Sequence, residues 1–171
     1  KILGDGPLKQ EVLDACSSNT LLSFLGWQSK EDCTCHLSRA LLLVFPKESY
    51  ETFPSTVVRS YAHGVPVIAS DLGGMGHFVI DGVIGCLFPP GDAQVLAEKV
   101  SWLWKNRDIL TLMREKARAE YEGKYTIERN YQILINLYQD TLSQKKNIKP
   151  RYTTNRNPHY HLHNRGFLQD S

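Results

Sequence analysis

Short apolar runs alternate with helical patterns over the first half of the chain. Ile2-Leu3 reads as the end of a strand, and residues 21–26 read as a second. Ser29 is placed to cap a helix over residues 30–39. Residues 41–45 form an unbroken apolar run stopped by Pro46, the pattern of a strand buried on both faces. The periodicity then predicts a helix over residues 54–63, ended by Gly64, and strands over residues 66–70 and 85–88. Beyond Pro89-Pro90-Gly91 only helical periodicity remains. Asp92 is a good N-cap, and Val95, Leu96, Val100, Leu103 and Trp104 fall on one helical face. A second helix is predicted over residues 108–122. A third, over residues 127–142, carries Ile127, Tyr131, Leu134, Tyr138 and Leu142 on one side. Short apolar strands interleaved with helices imply a parallel sheet covered on both faces.

From Asn147 the composition shifts to Asn, Arg, His and Thr with few aliphatics. The expected organisation is a folded domain over residues 1–146 and a disordered tail over residues 147–171. The chain is 171 residues long, 42% hydrophobic and 22% charged, which is ordinary globular usage and suits one real core. Its net charge of +2 is too small to advertise a nucleic-acid surface. The basic excess belongs to the tail, where Lys149, Arg151, Arg156 and Arg165 face only Asp170. The longest apolar run, six residues from Ala40 to Phe45, is far short of a membrane span. Cys16, Cys33, Cys35 and Cys86 lie in or beside apolar helix- or strand-like segments, so a reduced, cytoplasmic compartment is expected, with peripheral membrane contact as an open alternative. Cys33-Thr-Cys35-His36 lacks the second ligand pair of a structural zinc site, so no metal site is expected. His159, His161 and His163 alternate in the tail, where a metal site would be adventitious. The chain opens abruptly, without an initiator Met or a signal peptide, and reads as part of a longer protein.

Three loops carry candidate chemistry, each beyond the carboxyl end of a predicted strand, where such folds bind ligands. The first is Gly4-Asp5-Gly6-Pro7. Its glycines let backbone approach a ligand, but Lys9 stands where a dinucleotide fingerprint needs its third Gly. The second runs from Phe45 to Thr56. There the N–H groups of Ser55 and Thr56, at a helix start opened by Pro54, suit a phosphate, and Glu51 suits the hydroxyls of a ligand hung from it. The third is Ser70-Asp71-Leu72-Gly73-Gly74-Met75-Gly76-His77, whose Gly pair permits close approach to an anion. Taken locally, each loop also fits a plain turn or helix cap.

The whole string decides between these readings. Gly-Asp-Gly-Pro-Leu, Phe-Leu-Gly-Trp, Tyr-Glu-Thr-Phe-Pro, Ala-His-Gly-Val-Pro-Val-Ile-Ala-Ser-Asp-Leu-Gly-Gly and Asp-Gly-Val-Ile-Gly-Cys-Leu-Phe-Pro-Pro-Gly-Asp occur in that order. Over residues 1–142 this resembles the C-terminal, nucleotide-sugar-binding domain of retaining glycosyltransferases of the GT-B fold, the group 1 (family 4) set. The resemblance implies a Rossmann-like, doubly wound parallel sheet. It also implies a whole protein that moves a sugar from a nucleotide-diphosphate donor to a glycan or lipid-linked acceptor, with no obligatory metal or other cofactor. Glu51 matches the first Glu of the family's Glu-x7-Glu motif, which holds donor-sugar hydroxyls, and is the candidate catalytic residue. Phe53, Pro54, Ser55 and Thr56 match the segment whose main chain meets the diphosphate. Gly26 and Trp27 lie in the region near the base. Gly4, Gly6, Gly73 and Gly74 complete the donor-binding candidates.

Two departures from the family stand out. Arg59 replaces the second Glu of the motif, which grips the ribose, and His77 replaces the Glu that follows the Gly-Gly pair. A guanidinium at residue 59 removes an acceptor and puts a cation near the diphosphate, so Arg59 joins the donor-binding candidates. The alternative these changes support is a degenerate, non-catalytic binding module. A nucleotide-sugar epimerase of similar two-domain fold is a further rival, disfavoured by Tyr-Glu-Thr-Phe-Pro. The resemblance further implies that the first strand of the sheet, the acceptor domain and the diphosphate-clamping cations lie upstream of Gly4. By itself the chain is then expected to transfer nothing and to be marginal, dimeric or aggregation-prone. With that first strand absent, the strands at Ile2-Leu3 and residues 41–45, second and fourth in the family's count, are expected either to close directly on each other or to leave a gap.

Overall fold

The computed structural model describes residues 1–145. Contacts divide the chain into two units, Lys1–Asn130 and Tyr131–Ser171. In the first, β1 (Ile2–Leu3), α1 (Lys9–Ser18), β2 (Phe24–Gly26), α2 (Lys30–Ser38) and β3 (Leu43–Phe45) follow in turn. Then come α3 (Ser55–Ala62), β4 (Val67–Ser70), a single 3-10 turn (Met75–His77), β5 (Gly85–Phe88), α4 (Ala93–Lys105) and α5 (Arg107–Lys124). α6 (Ile127–Lys145) crosses into the second unit, where Tyr131, Leu134, Tyr138 and Leu142 keep the expected spacing on one helical side. The tail histidines and the expected tail disorder lie outside the described residues.

All strand pairs are parallel. They form two separate sheets, β1-β2 and β3-β4-β5, and among the described residues β1 does not pair with β3. A gap, rather than direct closure, is thus what separates the two halves. This corrects the expectation that residues 41–45 are a fully buried strand. β3 is a sheet edge, with Leu43 and Phe45 only partly covered and Val44 exposed. The second strand is also shorter than its apolar run, because Asn19 turns the chain there. Its side-chain oxygen accepts the Leu21 N–H at 3.0 Å, and its carbonyl accepts that of Leu22.

The core centres on β4, whose four residues are all buried. Strand alternation sends Val67 and Ala69 to one face, against Val57 and Tyr61 of α3, and Ile68 to the other, against Leu103 of α4 and Met113 of α5. Helices therefore cover both faces of the three-stranded sheet. Burying a side chain such as Leu103 completely contributes about 1.5–3 kcal/mol. Gly85 permits the closest strand packing, since a Cβ there would lie 2.1 Å from the Val67 carbonyl oxygen. Trp104, expected on the buried face of α4, is exposed and lies beneath the Arg107 guanidinium, 3.7 Å from its ring centre. The predicted caps form as read: Ser29 accepts the Asp32 N–H at 3.0 Å, and Asp92 accepts the Val95 N–H at 2.9 Å.

Candidate functional site

The loops at the carboxyl ends of the strands hold the candidate residues, in two groups. Gly4, Gly6, Gly26 and Trp27 belong to the two-stranded sheet. The Gly4 N–H donates to the Gly26 carbonyl at 2.8 Å, which ties the loop after β1 to the end of β2. Asp5 organises this turn: its carboxylate accepts the Gly6 N–H at 2.9 Å and the Lys9 ammonium at 3.0 Å. Those two donors hold its carboxyl below the ordinary value of 3.8. A hollow of about 300 Å³ opens beside the loop, between Ile2, Pro7, Val12 and Phe24. Trp27 projects from the end of β2 with 76% of its surface exposed.

The second group stands on the three-stranded sheet. Between Phe45 and α3 the chain makes a loop that folds against the Gly-Gly segment after β4. The Tyr50 ring lies over Gly73, whose φ of +60° suits glycine. Phe53 meets Phe78 edge to face, with ring centres 5.6 Å apart. Glu51, between these two anchors, is half-buried and pairs with Lys47. Pro54 is buried and sits at the N-cap of α3. One expectation about this helix start needs correction. The Ser55 N–H donates to the Phe53 carbonyl at 2.9 Å and is not available to a ligand, whereas Thr56 N–H has no backbone partner among the described residues. The chain doubles back so tightly after Phe53 that its carbonyl reaches Ser55 first.

Arg59 lies one turn after Ser55 on α3, half-buried, with no hydrogen bond or ion pair among the described residues. Cα–Cβ bonds in a helix tilt toward its N-terminus, so the Arg59 side chain leaves the backbone toward the Thr56 end. Gly74 accepts the His77 N–H at 3.0 Å, and the His77 side chain is exposed. Ser70, at the end of β4, buries a hydroxyl with no partner in the described structure. No hydrogen bond among the described residues joins the two groups. Glu51, Phe53, Pro54, Thr56, Arg59, Gly73 and Gly74 are brought to one sheet end, while Gly4, Gly6, Gly26 and Trp27 stand on the other. Lys47 was missed by sequence reasoning, although its four-residue spacing from Glu51 was visible. A further groove of about 450 Å³, between Asp81, Cys86, Lys99 and Trp102 beside α4, contains none of the candidate residues. Burial pushes the Cys86 thiol up in pKa, which keeps it protonated.

The model of the family "Glycosyl transferases group 1" matches residues 1–106. The chain is 30% identical to the O-antigen chain mannosyltransferase C of Escherichia coli, over 84% of the chain and 40% of that protein. It is 28% identical to the N-acetyl-alpha-D-glucosaminyl L-malate synthase of Bacillus anthracis, over 86% of the chain and 39% of that protein. Among solved structures, Anabaena Alr3699/HepE in complex with UDP-glucose superimposes with a TM-score of 0.68 at 24% identity, over 80% of this chain and 40% of that one. Sucrose-phosphate synthase from Thermosynechococcus elongatus gives 0.72 at 23% identity, over 83% and 38%. The chain thus spans about 40% of the length of the first curated relative it matches. No helix among the described residues is long and apolar enough to cross a membrane. The order of strands and helices, the loops at their carboxyl ends and these likenesses agree: the chain belongs to the group 1 glycosyltransferases and has the Rossmann-like fold of a GT-B glycosyltransferase domain.

Proposed function

We propose that this chain is the donor-binding domain of a retaining glycosyltransferase, and that the whole protein moves a sugar from a nucleotide-diphosphate donor to a glycan or lipid-linked acceptor. The observation that carries the reading is Glu51, held at the end of the three-stranded sheet between the Tyr50–Gly73 and Phe53–Phe78 contacts and close in sequence to the start of α3. A diphosphate at that helix start meets the Thr56 N–H and the positive end of the helix dipole. Glu51 then accepts hydroxyl protons of the sugar. Fixed dipoles and cations aimed at the departing diphosphate lower the barrier by preorganisation. In this reading a metal is dispensable, and a chelator leaves transfer unchanged. The acceptor is held by a separate N-terminal domain of the whole protein, and further cations for the diphosphate come from the strand and helix that precede Gly4 in the family.

Arg59 and His77 favour a second reading, a degenerate module that binds without transfer. Calorimetric titration of the full-length protein with uridine and guanosine diphosphates and their sugars, followed by an assay for released nucleotide, separates the two. A transferase shows saturable heat and sugar-dependent release. A degenerate module that binds without transfer shows the heat without the release, and a scaffold that has lost the donor site shows neither.

A further inference from the structure

We infer that Lys47 is a specificity-determining residue of the donor site. Together with Glu51 it reads two neighbouring hydroxyls of a neutral sugar, one donating to the carboxylate and one accepting from the ammonium. This rests on the assignment of Glu51 to the sugar made above.

The loop offers Lys47 two carboxylates, and it pairs with only one. Its ammonium meets Glu51 four residues on, while Glu48 turns toward the corner after β5, where its Oε1 is 3.7 Å from the place of a Cβ on Gly91. The pair is not buried: the two side chains keep 42% and 26% of their surface exposed, open to a ligand. An exposed ion pair contributes only about 0–1 kcal/mol to stability, so fold maintenance accounts for little of it. Its position is nonetheless fixed, because Tyr50 rests on Gly73 and Phe53 on Phe78 to either side of Glu51.

The hydrogen-bonding capacity of the pair matches a diol. A carboxylate has about four lone-pair sites and an ammonium three donors, and their mutual bond uses one of each. What remains is an acceptor beside a donor, and adjacent sugar hydroxyls present the complementary pattern because each can both give and accept. The pair is electrically neutral. A carboxylated sugar would therefore meet repulsion from Glu51 as well as attraction to Lys47, whereas a neutral sugar meets only hydrogen bonds. A sugar lacking either of the two hydroxyls loses one arm of the grip.

The test is calorimetric titration of the full-length protein with UDP-glucose and GDP-mannose, and with UDP and GDP as sugar-free controls. Lys47→Met is expected to weaken the bound nucleotide sugar about tenfold or more and to leave the matching free nucleotide within about twofold. Lys47→Arg, which keeps the cation, should recover most of the loss. Lys47→Ala replaces Lys47→Met should the latter fail to fold. Wild-type affinity for the nucleotide sugar in the variant that lacks the cation overturns the inference. So does equal weakening of free nucleotide, which would put Lys47 on the phosphates. A wild-type protein that binds neither nucleotide nor nucleotide sugar removes the donor-site reading itself, which is a different failure.

Discussion

A Cβ placed on Gly73 would lie 2.7 Å from Cδ1 of Tyr50, so the loop that carries Glu51 is seated directly on the backbone of the Gly-Gly segment. This contact makes two loops from different strands into one surface. It also explains why Gly73 must be glycine twice over: its φ is +60°, and no side chain fits beneath the ring.

Gly73→Ala is therefore expected to cost about 1–2 kcal/mol from the left-handed backbone alone. Displacement of Tyr50 should also loosen Glu51. A melting experiment paired with donor titration checks both, and the expected result is a modest loss of stability with a larger loss of nucleotide-sugar affinity. Unchanged affinity would mean that the two loops act separately.

By the resemblance read from the sequence, Arg59 stands where the family carries its ribose-binding Glu, and it has no partner among the described residues. Arg59→Glu in the full-length protein should tighten nucleotide-sugar binding about tenfold, the worth of one charge-assisted hydrogen bond. Weaker binding on the same titration would assign the guanidinium its own task at the diphosphate.

Much of the fold was legible in the sequence, because the patterns that fix it are local. The caps at Ser29 and Asp92, the helix end at Gly64 and the apolar run of β4 depend on neighbours a few residues away. The exposed edge of β3 was not legible from residues 41–45 themselves, which carry the pattern of a central strand whether or not a neighbour is present; only the resemblance, by placing the first strand upstream, made a gap there one of two expected outcomes. The site divides in the same way. Sequence order put Glu51 and the glycines in loops at strand ends, but the Ser55 N–H turned back on the Phe53 carbonyl and the Tyr50–Gly73 contact are products of packing.

The unpaired edge has a consequence in solution. Val44 and Leu41 are exposed beside the open side of β3, and open edges with apolar side chains pair with other chains. The isolated 171-residue chain should associate in a concentration-dependent way, as sedimentation velocity would show. A sharp, reversible melt of a monomer contradicts this.

Tyr61 is fully buried and donates its hydroxyl to the Phe78 carbonyl at 3.0 Å. Burial raises its pKa above the ordinary 10.0. The folded state thus holds this proton more tightly than the unfolded chain. The associated stability is whole below the ordinary value and is lost as pH rises from there through the raised one. Tyr61→Phe lacks the hydroxyl and should be about 1 kcal/mol less stable near neutrality. The wild-type advantage should shrink above pH ~10. Parallel melting curves across that range would show that Tyr61 does not titrate with unfolding.

The central claim is that Glu51 grips the sugar of a nucleotide-diphosphate donor, and the most direct measurement compares wild type with Glu51→Gln in the full-length protein. Titrated with UDP-glucose and GDP-mannose, the wild type should bind one of them saturably. Glu51→Gln should lose about tenfold or more of that affinity while holding the free nucleoside diphosphate as before. Equal affinity of the two proteins for the nucleotide sugar, or no saturable binding by the wild type, would contradict the account.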